Sequence, residues 1–186
     1  MTAQFRAGRL SFFFYVLISF IGLMGSGKTT VGRALARRLK IDFFDSDHVI
    51  EERLGYSLRT FFEQEGEARF RDLEQSTIEG LTLKNNSILS TGGGACLRLA
   101  NREHLNTRSH VIYLKATPEE LYRRIRSDGT RPLLQVADPL KKLRELYEVR
   151  HPLYLETAHA TFETSRPSMS LLMNQIHKHL EISGVI

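Results

Sequence analysis

Two patterns of apolar and polar positions alternate along the chain. Short apolar runs rich in β-branched and aromatic residues read as strands: "FYVLISFI" (14–21), "IDFFD" (41–45), "SILST" (87–91), "HVIYL" (110–114) and "HATFE" (159–163). The first strand is expected at about Val16 to Ile21. Between the runs, apolar residues recur with helical spacing. Val31, Leu35 and Leu39 form one such stripe, Leu121 and Ile125 a second, and Leu172, Ile176 and Leu180 a third. One helix start is spelled out chemically, because Thr117-Pro118-Glu119-Glu120 sets an N-cap, a proline at the first helical position and a capping-box glutamate in order. The last helix follows Pro167-Ser168. Strand and helix signals in alternation imply βαβ units and a parallel sheet in an α/β domain. No repeat or low-complexity linker interrupts it. The segment Ser127–Pro139 is marked by glycine and proline between two helices, and a loop of that length in a compact domain is usually functional or mobile.

The 186 residues suit one domain with a substantial core. Lys and Arg exceed Asp and Glu by 26 to 21, but they are scattered among the acids, with no basic run and no basic–aromatic motif. That distribution suits an enzyme of anionic ligands, not a nucleic-acid binder. A single cysteine, Cys96, excludes an intrachain disulfide framework and agrees with a cytoplasmic location. The seven histidines show no metal-ligand spacing with cysteine, and His177 and His179 are expected at the surface. Arg6 and Arg9 precede an apolar stretch, Leu10 to Met24, much as in a secretory signal. Cleavage after that stretch would destroy the motif that follows it, and the stretch is short for a membrane span. No membrane attachment is therefore expected. Residues 1–13 are expected to form an extension and 14–186 a single domain.

The strongest chemical signal is "GLMGSGKTT". Gly22, then Gly27-Lys28-Thr29 after four intervening residues, matches the phosphate-binding loop, and it has the strand before and the helix after that the motif requires. Its glycines let backbone N–H groups approach phosphate oxygens, and the helix dipole favours the anion. Lys28 is placed for the terminal phosphates and the Thr29 hydroxyl for Mg²⁺. Asp45 and Asp47, two apart at a strand end, send their carboxylates the same way, into the crevice where open α/β sheets bind ligands. One would help hold Mg²⁺ through water and the other would accept a proton from a hydroxyl. The alternative is a solvated turn with Asp47 as helix cap. In "ARFRDLE", Glu74 is three residues from Arg71 and able to orient it for two-pronged capture of a carboxylate; the alternative is an exposed helical ion pair. Gly92-Gly93-Gly94 follow a strand and open the backbone to a ligand. Arg131 in the long loop and Arg150 in "EVRHPLY" complete the candidates, an arginine on a loop being suited to stabilise transferring phosphate. Together these features describe an ATP-dependent kinase for a small hydroxylated acid.

The ordered set "GLMGSGKTT", "DSD", "FRDLE", "STGGGA", "TRPLL" and "RHPLY" closely resembles the shikimate kinase family, from about Ile18 to about Leu180. The resemblance implies a three-layer α/β/α P-loop kinase fold with a five-stranded parallel sheet in the order 2-3-1-4-5. It also implies an acceptor-binding helical region at about 46–85 and a mobile lid at about 127–138. The implied reaction is transfer of the γ-phosphate of ATP to the 3-hydroxyl of shikimate, on the route through chorismate to aromatic amino acids, with one Mg²⁺ and a monomeric, cytoplasmic enzyme. Residue by residue, Gly25, Ser26, Gly27, Lys28, Thr29 and Thr30 hold the nucleotide phosphates, and Thr29 and Asp45 hold the metal. Asp47 contacts the shikimate hydroxyls as base, while Arg71 and Arg150 take its carboxylate. Glu74 and Gly92, Gly93 and Gly94 shape that pocket. Arg131 meets the transferring phosphate, and Arg124 and Arg166 flank the adenine. A gluconate-type sugar-acid kinase shares the phosphate loop but does not require the "DSD", "FRDLE" and "GGG" set together. A non-catalytic nucleotide-binding regulator would lack one of Lys28, Asp47 or Arg131 and would carry a basic stripe.

Overall fold

The computed structural model describes residues 16–126, 136–165 and 167–186. The expected extension 1–13, lid residues 127–135, and Arg131 and Arg166 lie outside that set.

The chain runs β1 (Leu17–Ile21), α1 (Lys28–Leu39), β2 (Asp42–Asp45), α2 (Ser46–Leu54), α3 (Leu58–Leu81), β3 (Ser87–Ser90), α4 (Leu99–Arg108), β4 (His110–Lys115), α5 (Pro118–Ile125), α6 (Pro139–Thr157), β5 (Ala160–Glu163) and α7 (Met169–Ile182). A short 3-10 turn, Ala95–Leu97, precedes α4. The strands form one parallel sheet in the order β2-β3-β1-β4-β5, as the family resemblance implied. All of β1 is buried because helices cover both faces, which is why its sequence is a continuous apolar run and does not alternate. At the sheet edge, β5 alternates half-buried with exposed positions.

Two cores sandwich the sheet. On one face Ile18 and Phe20 pack with Val31 and Leu35 of α1 and with Leu172, Ile176 and Leu180 of α7. On the other, Ile21, Leu89 and Tyr113 pack with Ile78 of α3, Leu105 of α4, Leu121 and Ile125 of α5, and Leu143 and Tyr154 of α6. A satellite cluster of Ile50, Phe61 and Phe70 joins α2 to α3, and α3 is interrupted at Gly66 (φ 78°). The capping box that opens α5 is formed as read: the Thr117 hydroxyl accepts from the Glu120 N–H, and a Glu120 oxygen accepts from the Thr117 N–H at 3.0 Å. Asp138 caps α6, accepting from the Lys141 N–H at 2.9 Å. That helix continues through Pro152, which places Arg150 inside a helix with neighbours a turn away on either side.

The surface reading of His177 and His179 needs correction. His177 is half-buried and pairs with Glu181 at 3.4 Å. The His179 ring packs on Phe162 and on His110, whose Nε2 lies 3.0 Å from the His179 Nε2, and His159 stacks on the other side of His110. One ring of the close pair has to donate and the other accept, so the cluster excludes full protonation. Burial, then His159 and His179, pushes the His110 pKa down from 6.5 to about 4. Between those values the unfolded chain takes up a proton that the folded one refuses, so stability is lost as pH falls through the window. His110→Asn keeps a donor and an acceptor but cannot titrate. Its melting temperature should fall less than that of the wild type between pH 7 and pH 4.5 in calorimetry; an equal fall would show that the cluster does not contribute.

Candidate active site

Loops leaving the carboxyl ends of β1, β2 and β3 meet in one cleft of about 570 Å³, lined also by Arg71 and Glu74 from α3, Arg124 from α5 and Arg150 from α6. The register explains the meeting, because Phe20, Ser90 and Asp45 are side-by-side partners at the ends of three adjacent strands.

The phosphate loop leaves β1 at Gly22 (φ +142°), where a Cβ would come within 2.6 Å of the Leu114 carbonyl oxygen, so no other residue fits. Lys28 opens α1. Its ammonium donates to the carbonyls of Gly22 (2.8 Å) and Leu23 (3.0 Å), and the residue is only 8% exposed. Gly27 caps α1 without a side-chain hydrogen bond, and Gly27, Lys28, Thr29 and Thr30 line the cleft. The first-turn N–H groups, with no side-chain acceptor, thus stand at an anion site made by the helix start. Gly25 also lines the cleft, while Ser26 is buried behind it. The Thr29 hydroxyl donates to Asp45 Oδ2 at 2.8 Å, and the other Asp45 oxygen accepts from the Asp47 N–H at 3.2 Å. Asp45, and not Asp47, therefore caps α2, which removes the reading of Asp47 as a capping residue. Arg124 ties the phosphate loop to the segment after β5, donating to the Gly25 carbonyl (3.2 Å) and to the Thr164 hydroxyl (3.1 Å) and carbonyl (2.6 Å).

The opposite side of the cleft is built by α3, α6 and the triple glycine. Arg71 donates to Glu74 Oε2 at 2.6 Å and to Glu67 at 2.9 Å. With Glu74 only 1% exposed, the first contact is a buried pair and not the exposed helical pair weighed against it. Arg150, itself buried, donates to the Gly93 carbonyl at 3.1 Å, and the Tyr154 hydroxyl donates to the same oxygen. Asp47 is half-buried as a residue, yet its Oδ1 is sealed from solvent and, like Glu74 Oε1, has no hydrogen-bond partner among the described residues. Burial first, then the charges of Asp45 and Glu74, raises the Asp47 pKa to about 7. Burial likewise raises the Glu74 pKa, against the pull of Arg71. A poised carboxylate with an unpartnered oxygen, facing a bound guanidinium, is an arrangement for taking a proton from a polar ligand.

Of the candidates among the described residues, all but Ser26 line this one cleft. Four contributors were not singled out from the sequence: Ser46, Glu67, Tyr154 and Thr164. Tyr154 had a signal, being one helical turn from Arg150; Thr164 had none. Cys96 is buried in the core with its pKa pushed up to about 12 by burial, so it offers no nucleophile.

The family model described as shikimate kinase matches residues 24–181. A shikimate kinase of Burkholderia pseudomallei is 54% identical over 172 residues, 92% of this chain and 94% of that protein. One of Ralstonia nicotianae is 50% identical over 169 residues, 91% and 89% of the two chains. A solved shikimate kinase from Acinetobacter baumannii in complex with shikimate superposes with a TM-score of 0.89 at 42% identity, covering 92% of this chain and 96% of the other.

A Cβ on Gly92 would lie 2.6 Å from Asp47 Oδ1 and 2.9 Å from Glu74 Oε1. Gly92→Ala should thus displace the poised carboxylate while leaving the phosphate loop alone. Acceptor-dependent ADP release should drop about 100-fold, the scale of a misplaced reacting group, with ADP affinity by calorimetry within about twofold. Near-normal turnover would mean that the Asp47–Gly92 contact is not part of the reacting geometry.

Proposed function

The chain belongs to the shikimate kinase family, and from that membership we infer that it transfers the γ-phosphate of ATP to the 3-hydroxyl of shikimate, giving shikimate 3-phosphate and ADP on the route through chorismate to aromatic amino acids. The observation that carries the reading to the residues is the placement of Asp47, Arg71, Glu74 and Arg150 in one cleft with the phosphate loop.

Phosphoryl transfer asks a protein mainly for positioning and charge stabilisation. Lys28 and the first-turn N–H groups of α1 receive the nucleotide phosphates. Thr29 and Asp45 would hold Mg²⁺. A hydroxyl and a carboxylate 2.8 Å apart are hard oxygen donors, and a sparse protein set suits an ion that keeps several waters and binds phosphate oxygens. No group of three or more His, Cys, Asp and Glu among the described residues forms a fuller cage. Held there, the ion would supply positive charge against the charge that develops during transfer. Arg124 braces the nucleotide side through Gly25 and Thr164. On the acceptor side Arg71, oriented by Glu74, and Arg150 take the shikimate carboxylate by bidentate geometry. Asp47 receives the proton of the 3-hydroxyl, and its raised pKa makes it a stronger base than an ordinary carboxylate. Arg131 and Arg166 retain their roles at the transferring phosphate and the adenine, and residues 127–138 that of a lid, by resemblance to the family. A monomeric state is carried over from the family resemblance. No helix among the described residues is long and apolar enough to cross a membrane; a cytoplasmic location is carried over from the family resemblance.

A coupled assay of ADP release should show turnover with shikimate, little with gluconate, and almost none without acceptor. Turnover with gluconate alone would replace the acceptor assignment. Arg71→Lys keeps the charge but loses the fork, so the shikimate KM should rise by about 10-fold or more while the ATP KM stays within about twofold. Asp47→Asn should cut kcat by about 100-fold or more, the usual scale for a general base. A loss confined to the shikimate KM would make Asp47 a binding residue only.

A further inference from the structure

Ser46 stands between the two carboxylate residues, does not line the cleft, and is fully buried. Its Oγ accepts the Gly92 N–H at 2.9 Å. The position of this bond in the fold gives it meaning. The β2–β3 ladder ends at the pair Asp45–Ser90. Beyond that rung, one chain turns into α2 and the other into the triple glycine, and no backbone rung joins them. The Ser46–Gly92 bond continues the ladder by a side chain, one step past its end.

On either side of Ser46, the turn faces both substrates. Asp45 reaches back to Thr29 of the phosphate loop. Asp47 reaches forward, its Oδ1 set where a Gly92 Cβ would be only 2.6 Å away. The triple glycine is held on its far side by Arg150 and Tyr154 through the Gly93 carbonyl.

We propose that Ser46 is a positioning residue that bolts the acceptor wall to the nucleotide side, fixing the distance between the acceptor hydroxyl and the phosphate through Gly92. It touches neither substrate. Without it, the buried Gly92 N–H loses its acceptor, and the loop shifts to find another. A shift of about 1 Å in the acceptor wall is enough for a large loss of rate. The proposal rests on the kinase reading, and its test keeps the two apart.

Ser46→Ala, Ser46→Cys and Ser46→Thr are compared with the wild-type chain. Ala removes the acceptor, Cys keeps the volume with a weak acceptor, and Thr keeps the oxygen. Ala and Cys should lose at least 10-fold in kcat and several-fold in shikimate KM, with the ATP KM within twofold, and Thr should restore most of both. Unchanged kcat and shikimate KM in Ser46→Ala, or a folded Thr variant as impaired as Ala, would overturn the proposal. Should the variants not fold, amide exchange in the wild-type chain still decides. A slowly exchanging Gly92 N–H supports the bond, and one that exchanges as freely as an exposed loop amide refutes it. Absence of shikimate phosphorylation by the wild type would instead refute the functional reading, which the exchange measurement does not share.

Discussion

Everything chemical in this molecule depends on one register: Phe20, Ser90 and Asp45 lie side by side at the carboxyl ends of three adjacent parallel strands. In a parallel sheet all strands point the same way, so the loops that follow them emerge at one edge. Because β1 is flanked by β3, and β3 by β2, the phosphate loop, the triple glycine and the Asp45–Asp47 turn leave at neighbouring positions and at one height. A slip of one residue in β2 would turn Asp45 to the opposite face of the sheet and shift the start of α2 that carries Asp47. The register is fixed from below by burial: Ile18 pairs with Ile88 in the centre of the sheet, and both are fully buried.

The site that this register creates works against folding in part. Asp47 Oδ1 and Glu74 Oε1 are buried with no hydrogen-bond partner among the described residues, a cost of about 1–3 kcal/mol for each such group. Arg71 offsets some of this by its pair with Glu74. A carboxylate short of hydrogen bonds is also an acceptor available to a ligand's hydroxyl, so the oxygens that cost stability are the ones a ligand would satisfy. Glycines make this possible. Any side chain at Gly92 would sit on the two oxygens, and one at Gly94 would sit on the Arg71 guanidinium.

The fold was largely legible in the chain because its signals are local. Five apolar runs, the α5 capping box and the stripe on α7 each state a local preference, and the structure agrees with all of them. The donor half of the site was legible for the same reason: Gly22 to Thr30 is contiguous, and its spacing carries its mechanism. The acceptor half was legible only as fragments. That Arg71 faces Arg150 depends on α3 and α6 packing on one face of the sheet, which no spacing within either helix encodes. Ser46 was invisible because a serine between two aspartates has many ordinary uses, and Tyr154 carried only the signal of its place one helical turn from Arg150. Their partners, Gly92 and Gly93, lie 46 and 61 residues away. The histidines were misjudged because spacing along α7 says nothing of what β4 and β5 bring against it.

This division has a consequence for what can vary. Under the proposed function, the donor side would take phosphate by backbone N–H groups and one lysine, from a loop whose Gly22 and Gly25 leave no room for a side chain against Leu114 and Ile125. Under the proposed function, the acceptor side would take its ligand by long side chains from two helices, Arg71 and Glu74 on α3 and Arg150 on α6, and both helices also supply core residues. Glu74 is packed one helical turn from Ile78, and Arg150 one turn from Tyr154, so a change of packing in either core position moves a binding group. Acceptor specificity and stability would therefore be coupled on this face of the sheet. Under the proposed function, a chain that takes a different hydroxy acid would have to change how α3 and α6 pack on α4 and the Ala95–Leu97 turn between them.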